Sequence, residues 1–311
     1  MDRLDELALL VAIFDEGTLA AAARKMRRSA AAVTRILGEF EARLGVRLVA
    51  RTTRQLAPTD AGRRLAAHAR RILADYEDSM HDAMGDAREP VGVLRISAPL
   101  MFGRLHVAPV LAGFLAKHVG VSAELSLSNR MLDLIEHGID IAVRIGDLDD
   151  SQLCARKVGQ VRRIVVASPA YLARNGTPAT PEQLNGHTLI LQSNDGNAVE
   201  WRFHIPQTGW LKVNPRSRLV VNQSETAIDL ACAGAGLIRA LSYQVADQLD
   251  SGALVRVLQT FEPPSLPVNL VFSSRDHMPL RIRAFLEIAT TALRGSATRW
   301  SSERDASSDS G

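Results

Sequence analysis

The stretch TLAAAARKMRRSAAAVTRILGEFEARLG, residues 18–45, decides how the rest of the chain is read. Thr18 precedes a run of helix formers ending near Met26, and Ser29 precedes a second run. Each offers a side-chain oxygen to the free amides at a helix start. Between the two runs, Arg27 and Arg28 leave room only for a tight corner. In the second run Val33, Ile36/Leu37, Phe40 and Leu44 recur at three- and four-residue spacing, which predicts an apolar face turned inward. Two capped helices joined by a basic corner make a helix-turn-helix, and its second helix fits end-on into the major groove of duplex DNA.

On the N-terminal side, Leu4, Leu7, Leu10/Val11 and Phe14 predict another helix, ended by Gly17. On the C-terminal side, Val46 to Val49, the basic run Arg51-Thr52-Thr53-Arg54 and Leu56 predict two small strands over 46–49 and near 56, joined by a basic loop: a wing. Pro58 and Thr59 open a fourth helix over about 60–86, whose Leu65, Ala69, Ile72, Tyr76, Met80 and Ala83 step by three and four residues. Such a helix is ~40 Å long, too long for the globule of 1–58 to cover. The seam therefore predicts dimerisation through Leu65, Ala69, Ile72, Tyr76 and Met80, with packing inside its own domain as the competing reading.

Charge follows the same division. Residues 1–17 carry one Arg against five acids, residues 18–71 thirteen Lys/Arg against three acids, and residues 72–90 one Arg against six. A block of +10 between two acidic flanks is the footprint of a polyanion-binding face and marks double-stranded DNA as a partner. In the major groove Ala30, Ala31, Thr34 and Arg35 would face base edges, and the helix start at Ser29 would face phosphate. Arg51 and Arg54 of the wing suit phosphates or the minor groove, and Arg27, Arg28 and Arg63 the backbone; Thr53 and Thr59 complete the candidate contacts.

The chain has 311 residues, 46% hydrophobic and 23% charged, enough for more than one core and unlike collagen or disordered chains. Two distant cysteines, Cys154 and Cys232, make neither a disulfide framework nor a zinc site and suit a reducing cytoplasm. Neither a basic-flanked export segment nor a membrane-spanning apolar run is evident, so no membrane partner is expected. Walker A, HExxH and GxSxG patterns are missing, and Gly234-Ala235-Gly236 lacks the third glycine of a dinucleotide loop. His106, His118, His187 and His277 are expected at helix or loop surfaces, and the cysteines as packed hydrophobes. No cofactor or metal and no enzymatic activity is expected.

From Val91 onward strands and helices alternate: strands over 93–97, 123–127, 139–145, 163–167, 253–258 and 268–272, and helices over 100–118, 131–137, 226–233 and 280–293. That rhythm predicts a parallel α/β sheet. Ser168-Pro169 reads as a helix start and Thr180-Pro181-Glu182-Gln183 as a capping box. The polar tail of 296–311 is expected to be disordered.

Leu19-Ala-Ala-Ala-Ala-Arg-Lys-Met26, Ser29-Ala-Ala-Ala-Val-Thr-Arg35, Leu44-Gly-Val-Arg-Leu48, Arg51-Thr-Thr-Arg54 and Pro58-Thr-Asp-Ala-Gly62 stand in the order and spacing of LysR-type transcriptional regulators. The resemblance runs on through Leu94-Arg-Ile-Ser-Ala-Pro99, Asp140-Ile-Ala-Val-Arg-Ile-Gly146 and Ala167-Ser-Pro-Ala-Tyr-Leu172. It implies a multidomain α/β protein with a winged helix-turn-helix over 1–58, a dimerising linker helix over 59–90 and an effector domain over 91–295 like type 2 periplasmic binding proteins. It also implies a homodimer or homotetramer, and RNA polymerase as a further partner. Three positions depart from the family: Ala30 replaces a common Gln, Thr34 a second Ser, and Arg239-Ala240 a turn through Pro. Gly38 within the second helix costs ~1 kcal/mol of helix propensity relative to Ala.

The resemblance gives the effector domain two lobes, 91–161 with 268–294, and 162–267, with a small-molecule effector between them. Ser97 ends the first strand before a helix start at Pro99, Leu100, Met101 and Phe102, where a hydroxyl and free amides suit a carboxylate. Ser128 ends the next strand, and Arg144 and Gly146 the one after; Ser193, Trp201, Asn222 and Ser224 face them by position. Arg144 reads equally as a structural ion pair. The function expected is sequence-specific, effector-modulated DNA binding. A solute-binding protein would need export, and an α/β enzyme with a helical appendage would need a convergent acid, base or nucleophile.

Overall fold

The computed structural model describes residues 2–51, 56–83, 89–130, 133, 134, 136–148, 153–193, 200–205, 209–213, 217–273 and 278–300. Three helices, α1 (Arg3–Glu16), α2 (Leu19–Lys25) and α3 (Ala30–Leu44), come first. Thr18 Oγ1 accepts from the Ala21 amide at 3.1 Å and Ser29 Oγ from the Ala32 amide at 3.2 Å, so both expected caps are made. Arg27, with φ of 51°, turns the chain between α2 and α3. Leu9, Leu10, Ile13, Val33, Leu37 and Phe40 form the core of this domain.

The wing strands β1 (Val49–Arg51) and β2 (Leu56–Pro58) pair antiparallel. The first strand starts at Val49 rather than at 46. The buried Glu41 carboxylate accepts from the Leu48 and Val49 amides at 2.7 and 3.0 Å, which ties the preceding segment to α3 instead of to a ladder. Thr53 and Arg54 lie outside the described residues, as does the Arg51 side chain.

Thr59 caps α4 (Asp60–Ala83): its hydroxyl accepts from the Gly62 amide at 3.0 Å and donates to the Arg47 carbonyl at 2.7 Å. A Cβ on Gly62 would sit 2.0 Å from the Leu48 carbonyl oxygen, so only glycine lets α4 cross the wing base this closely. The seam divides in two. Leu65 packs on the N-terminal core and Ala69 is fully buried within the protomer, whereas Ile72, Tyr76 and Met80 are 45, 50 and 40% exposed. The cause is α1, which runs beside the first turns of α4 and pairs Asp15 with Arg70. The dimerising role expected of Leu65 and Ala69 is thus replaced by packing inside the domain.

Beyond the linker, β3 (Gly92–Ala98), β4 (Val121–Leu127), β5 (Ile141–Ile145), β6 (Cys154–Val161) and β14 (Leu266–Phe272) form one sheet in the order β4-β3-β5-β14-β6. Its β3–β4 and β3–β5 pairs are parallel, but β14 is antiparallel to both neighbours, so the sheet is mixed rather than parallel. The reversal arises because β14 returns from the second lobe. Strand β6, unforeseen in the sequence, supplies the edge beside β14.

Helices cover this sheet: α5 (Leu100–Phe102), a π-helical turn (Gly103–Val107), α6 (Ala108–Lys117) and α10 (Leu280–Trp300). Leu100–Lys117 is long and apolar enough to cross a membrane, yet its Met101, Phe102, Val107, Leu111 and Phe114 are buried in the lobe core. Where a helix over 131–137 was expected, residues 134 and 136–138 form turns and 133 has no regular structure.

Lobe two holds α7 (Pro169–Asn175), α8 (Ser224–Cys232), α9 (Ala246–Asp250) and a sheet of β12 (Ile238–Leu241), β7 (Arg163–Ala167) and β13 (Val255–Val257), antiparallel throughout. A parallel pair, β8 (Ile190–Gln192) with β11 (Leu219–Val221), and a hairpin, β9 (Trp201–Ile205) with β10 (Gly209–Val213), complete it. Thr180 makes no cap; Gln183 Oε1 instead accepts from the Ala179 amide at 2.7 Å.

The tail begins later than its composition suggests. Helix α10 continues through 296–300 to Trp300, which is 1% exposed and packs its ring 5.0 Å from Phe102 and 4.9 Å from His106. One large apolar ring outweighs the polar composition around it. His106 is consequently half-buried against this cluster, which Tyr243 closes at 5.7 Å. Residues 301–311 lie outside the described residues.

Candidate DNA-binding face and effector cleft

Burial of Val33, Ile36, Leu37 and Phe40 turns the opposite side of α3 to solvent. Ala30, Ala31 and Arg35 are exposed, and Thr34 Oγ1 donates back to the Ala30 carbonyl at 3.0 Å. Arg35 is therefore the one long hydrogen-bond donor among these four positions. Arg28 pairs with Asp5 at 3.4 Å, and Arg63 donates to the Pro58 carbonyl at 2.9 Å and pairs with Asp60. These arginines line the base of the helix-turn-helix and the wing, where backbone phosphates would run. Thr59, whose hydroxyl is consumed by its cap, serves the fold.

The second site is a cleft of about 380 Å³ between the lobes. From lobe one come Ser97 at the end of β3, Ser128 and Asn129 after β4, and Arg144 on β5; from lobe two come Arg163 on β7, Gln192, Trp201, Ser224, Arg239 on β12, Tyr243 and Gln244. Ser224 Oγ donates to Gln192 Oε1 at 3.0 Å and accepts from Gln244 Nε2 at 3.2 Å, which fixes the polar part of the lobe-two wall. Arg239 lies over the buried Trp201 ring at 5.3 Å and donates to the Glu200 carbonyl at 3.1 Å.

Arg130, Arg144, Arg163 and Arg239 line the cleft, and its described lining includes no Asp or Glu. Burial, reinforced by the neighbouring Arg163, pushes Arg239 down to about 10. Burial and then Arg202 lower Arg163, with Asp147 opposing. Burial pushes the Tyr243 phenol up, so it stays neutral. A cleft lined by excess positive charge favours an anion.

Residues 4–63 match the model of the bacterial regulatory helix-turn-helix proteins of the lysR family, and residues 87–294 that of the LysR substrate binding domain. The chain belongs to the LysR family of transcriptional regulators. As a LysR-type regulator, it is a DNA-binding protein with an effector-binding domain, and its relatives are regulators of transcription. The HTH-type transcriptional regulator CrgA of Neisseria meningitidis is 31% identical over 290 residues, 93% of this chain and 96% of that protein. The regulator PtxR of Pseudomonas aeruginosa is 33% identical over 296 residues, 92% and 91% of the two chains. The solved structure of CrgA matches with a TM-score of 0.60 over 93% of this chain and 98% of that one, at 31% identity. Full-length AphB, a Vibrio cholerae virulence activator, matches at 27% identity with a TM-score of 0.61 over 93% and 99%.

Within this LysR-type framework the expected effector residues separate. Ser97, Pro99, Ser128, Arg144, Trp201 and Ser224 line the cleft. Leu100, Met101 and Phe102 do not: Met101 and Phe102 are buried in the lobe core, and the Leu100 amide already donates to Asn129 Oδ1 at 3.1 Å. The free helix-start amide expected there is thus occupied. Gly146, whose amide donates to the Pro267 carbonyl, Ser193, whose amide donates to the Val221 carbonyl, and Asn222 stand outside the lining. The sequence reading missed Asn129, Arg130, Arg163, Gln192, Arg239, Tyr243 and Gln244. Only the arginines had a local signal, a basic residue at or near a strand terminus.

Proposed function

We propose that this regulator responds to a small carboxylate held between its lobes, with Ser97, Ser128 and Arg144 as lobe-one contacts. Four arginines and no carboxylate in the described lining carry the reading. A ligand gripping both lobes favours one lobe arrangement over another, and only such differential affinity can change how the protein sits on DNA. We assign groove contact to Ala30, Ala31, Thr34 and Arg35, backbone contact to Arg27, Arg28, Ser29 and Arg63, and wing contact to Arg51, Thr53 and Arg54. Pairing of linker helices through Ile72, Tyr76 and Met80 builds a dimer, with a homotetramer as the larger assembly. RNA polymerase is the further partner and the cytoplasm the site of action.

The test is a calorimetric screen of full-length protein with small carboxylates against their primary amides, followed by Ser97→Ala and Ser128→Ala. Each hydroxyl contributes ~0.5–1.5 kcal/mol, and more toward a charged acceptor. Equal binding of acids and amides would overturn the anionic effector, and unchanged binding by both variants would move the site.

A further inference from the structure

The lobe-two wall of the cleft holds two cations, Arg163 and Arg239. Arg239 is the ladder partner of Val165 and Leu241 that of Arg163, so the two arginines sit diagonally on one face of the β7–β12 pair. Diagonal neighbours of this kind lie ~7–8 Å apart at their backbones, within reach of one small anion for side chains as long as arginine. Arg239 is held in place by the Trp201 ring and the Glu200 carbonyl. The Glu200 carboxylate is bound by Arg202 at 2.5 Å and Lys212 at 3.3 Å and offsets Arg239 only through space, without an ion pair to it. Arg163 makes no ion pair with the described residues, Asp147 acting on it only through space.

We propose that the effector is a compact diacid, one carboxylate on the Ser97 and Ser128 wall and the other on the Arg163 and Arg239 pair. The proposal rests on the carboxylate reading above and deepens it. Two forked guanidiniums match a planar carboxylate or another small oxyanion, and their mutual repulsion, which adds to burial in lowering Arg239, is relieved when one binds. Ala142, Val143, Ile190 and Leu266 line the cleft as well, so the body joining the two acids is apolar. At about 380 Å³ the cavity stands near the lower limit of ~300–1,000 Å³ for small-molecule sites, which favours a short chain or a single ring. Because the two acids sit on different lobes, a diacid holds the lobes together in a way a monoacid does not.

The experiment is calorimetry on the full-length protein with matched probes: succinate and glutarate against butyrate, and phthalate and isophthalate against benzoate. At least one diacid is expected to bind about tenfold or more tightly than its monoacid, as one added charge-assisted contact allows. In Arg163→Gln that ratio falls to about one; Arg239→Lys, which keeps the charge, retains part of it, and Arg239→Gln loses it. Equal affinities across every matched pair, or an undiminished ratio in Arg163→Gln, would overturn the diacid. Monoacid binding that weakens in Ser97→Ala without any gain from a second acid overturns the diacid and leaves the carboxylate reading standing. If no acid in the panel binds, both fall.

Discussion

Arg35 and Glu39 form an ion pair one turn apart on the exposed face of α3, Nη1 to Oε1 at 2.8 Å. Both side chains are well exposed, so the pair is worth only ~0.3–0.5 kcal/mol, less than the ~1–3 kcal/mol of a bidentate contact to a base. Such a pair would yield to a guanine edge if Arg35 reads a base. Arg35→Ala should flatten the preference at one base pair by ~1–3 kcal/mol, whereas Glu39→Gln should tighten binding modestly to all sequences by removing a repelled acid. Competition titrations on a site selected from random DNA, and on its single-base variants, measure both. A preserved preference profile in Arg35→Ala would place base reading on other residues.

The +10 charge of residues 18–71 predicts steep salt dependence. If each protomer of a dimer neutralises about four phosphates, log K falls against log salt with a slope near −7. Titrations at several salt concentrations check this, and a slope near zero would mean that the basic block does not face the duplex.

Ile72 and Tyr76 lie half-exposed along α4 beyond the point where α1 stops covering it. Joint Ile72→Asp and Tyr76→Asp substitution would set like charges against their mates across a paired helix. Sedimentation should show dissociation with the monomer still folded, because neither side chain belongs to the protomer core. An unchanged oligomer would move the interface elsewhere.

Glu6 on α1 and Arg43 on α3 form a bidentate pair, Nη1 to Oε1 at 2.8 Å with Nη2 on Oε2. This hydrogen bonding lowers the Glu6 carboxyl, with burial opposing. A carboxylate lowered on folding adds stability that is present above its unfolded pKa and is lost as pH falls through its folded value. Denaturant melts of the wild type and Glu6→Gln should thus converge as pH falls below about 4.5 and on through the lowered folded value, the wild type being the more stable at neutral pH. A stability difference that does not change with pH would remove the pair from the acid response.

Sequence by itself determined what depends on neighbours a few residues apart. The caps at Thr18 and Ser29 have partners three residues away, the corner at Arg27 is local, and the inward face of α3 is marked by apolar residues three and four apart, so spacing and residue type suffice to specify them. The basic block needs no fold to be counted, and five short motifs in order identify the family. Ser97 and Ser128 were legible because each directly follows or ends a strand whose alternation is visible. Tertiary structure alone decided what depends on distant partners. Arg163 and Arg239 become one pair only because β7 and β12 lie side by side, and no local pattern announces that register. The direction of β14 follows from the chain's return between lobes, and the burial of Trp300 from a pocket built by Phe102, His106 and Gly159. The seam of α4 is continuous in sequence, but α1 covers its first turns and not the rest, so which residues remain for a second copy is set by packing rather than by periodicity.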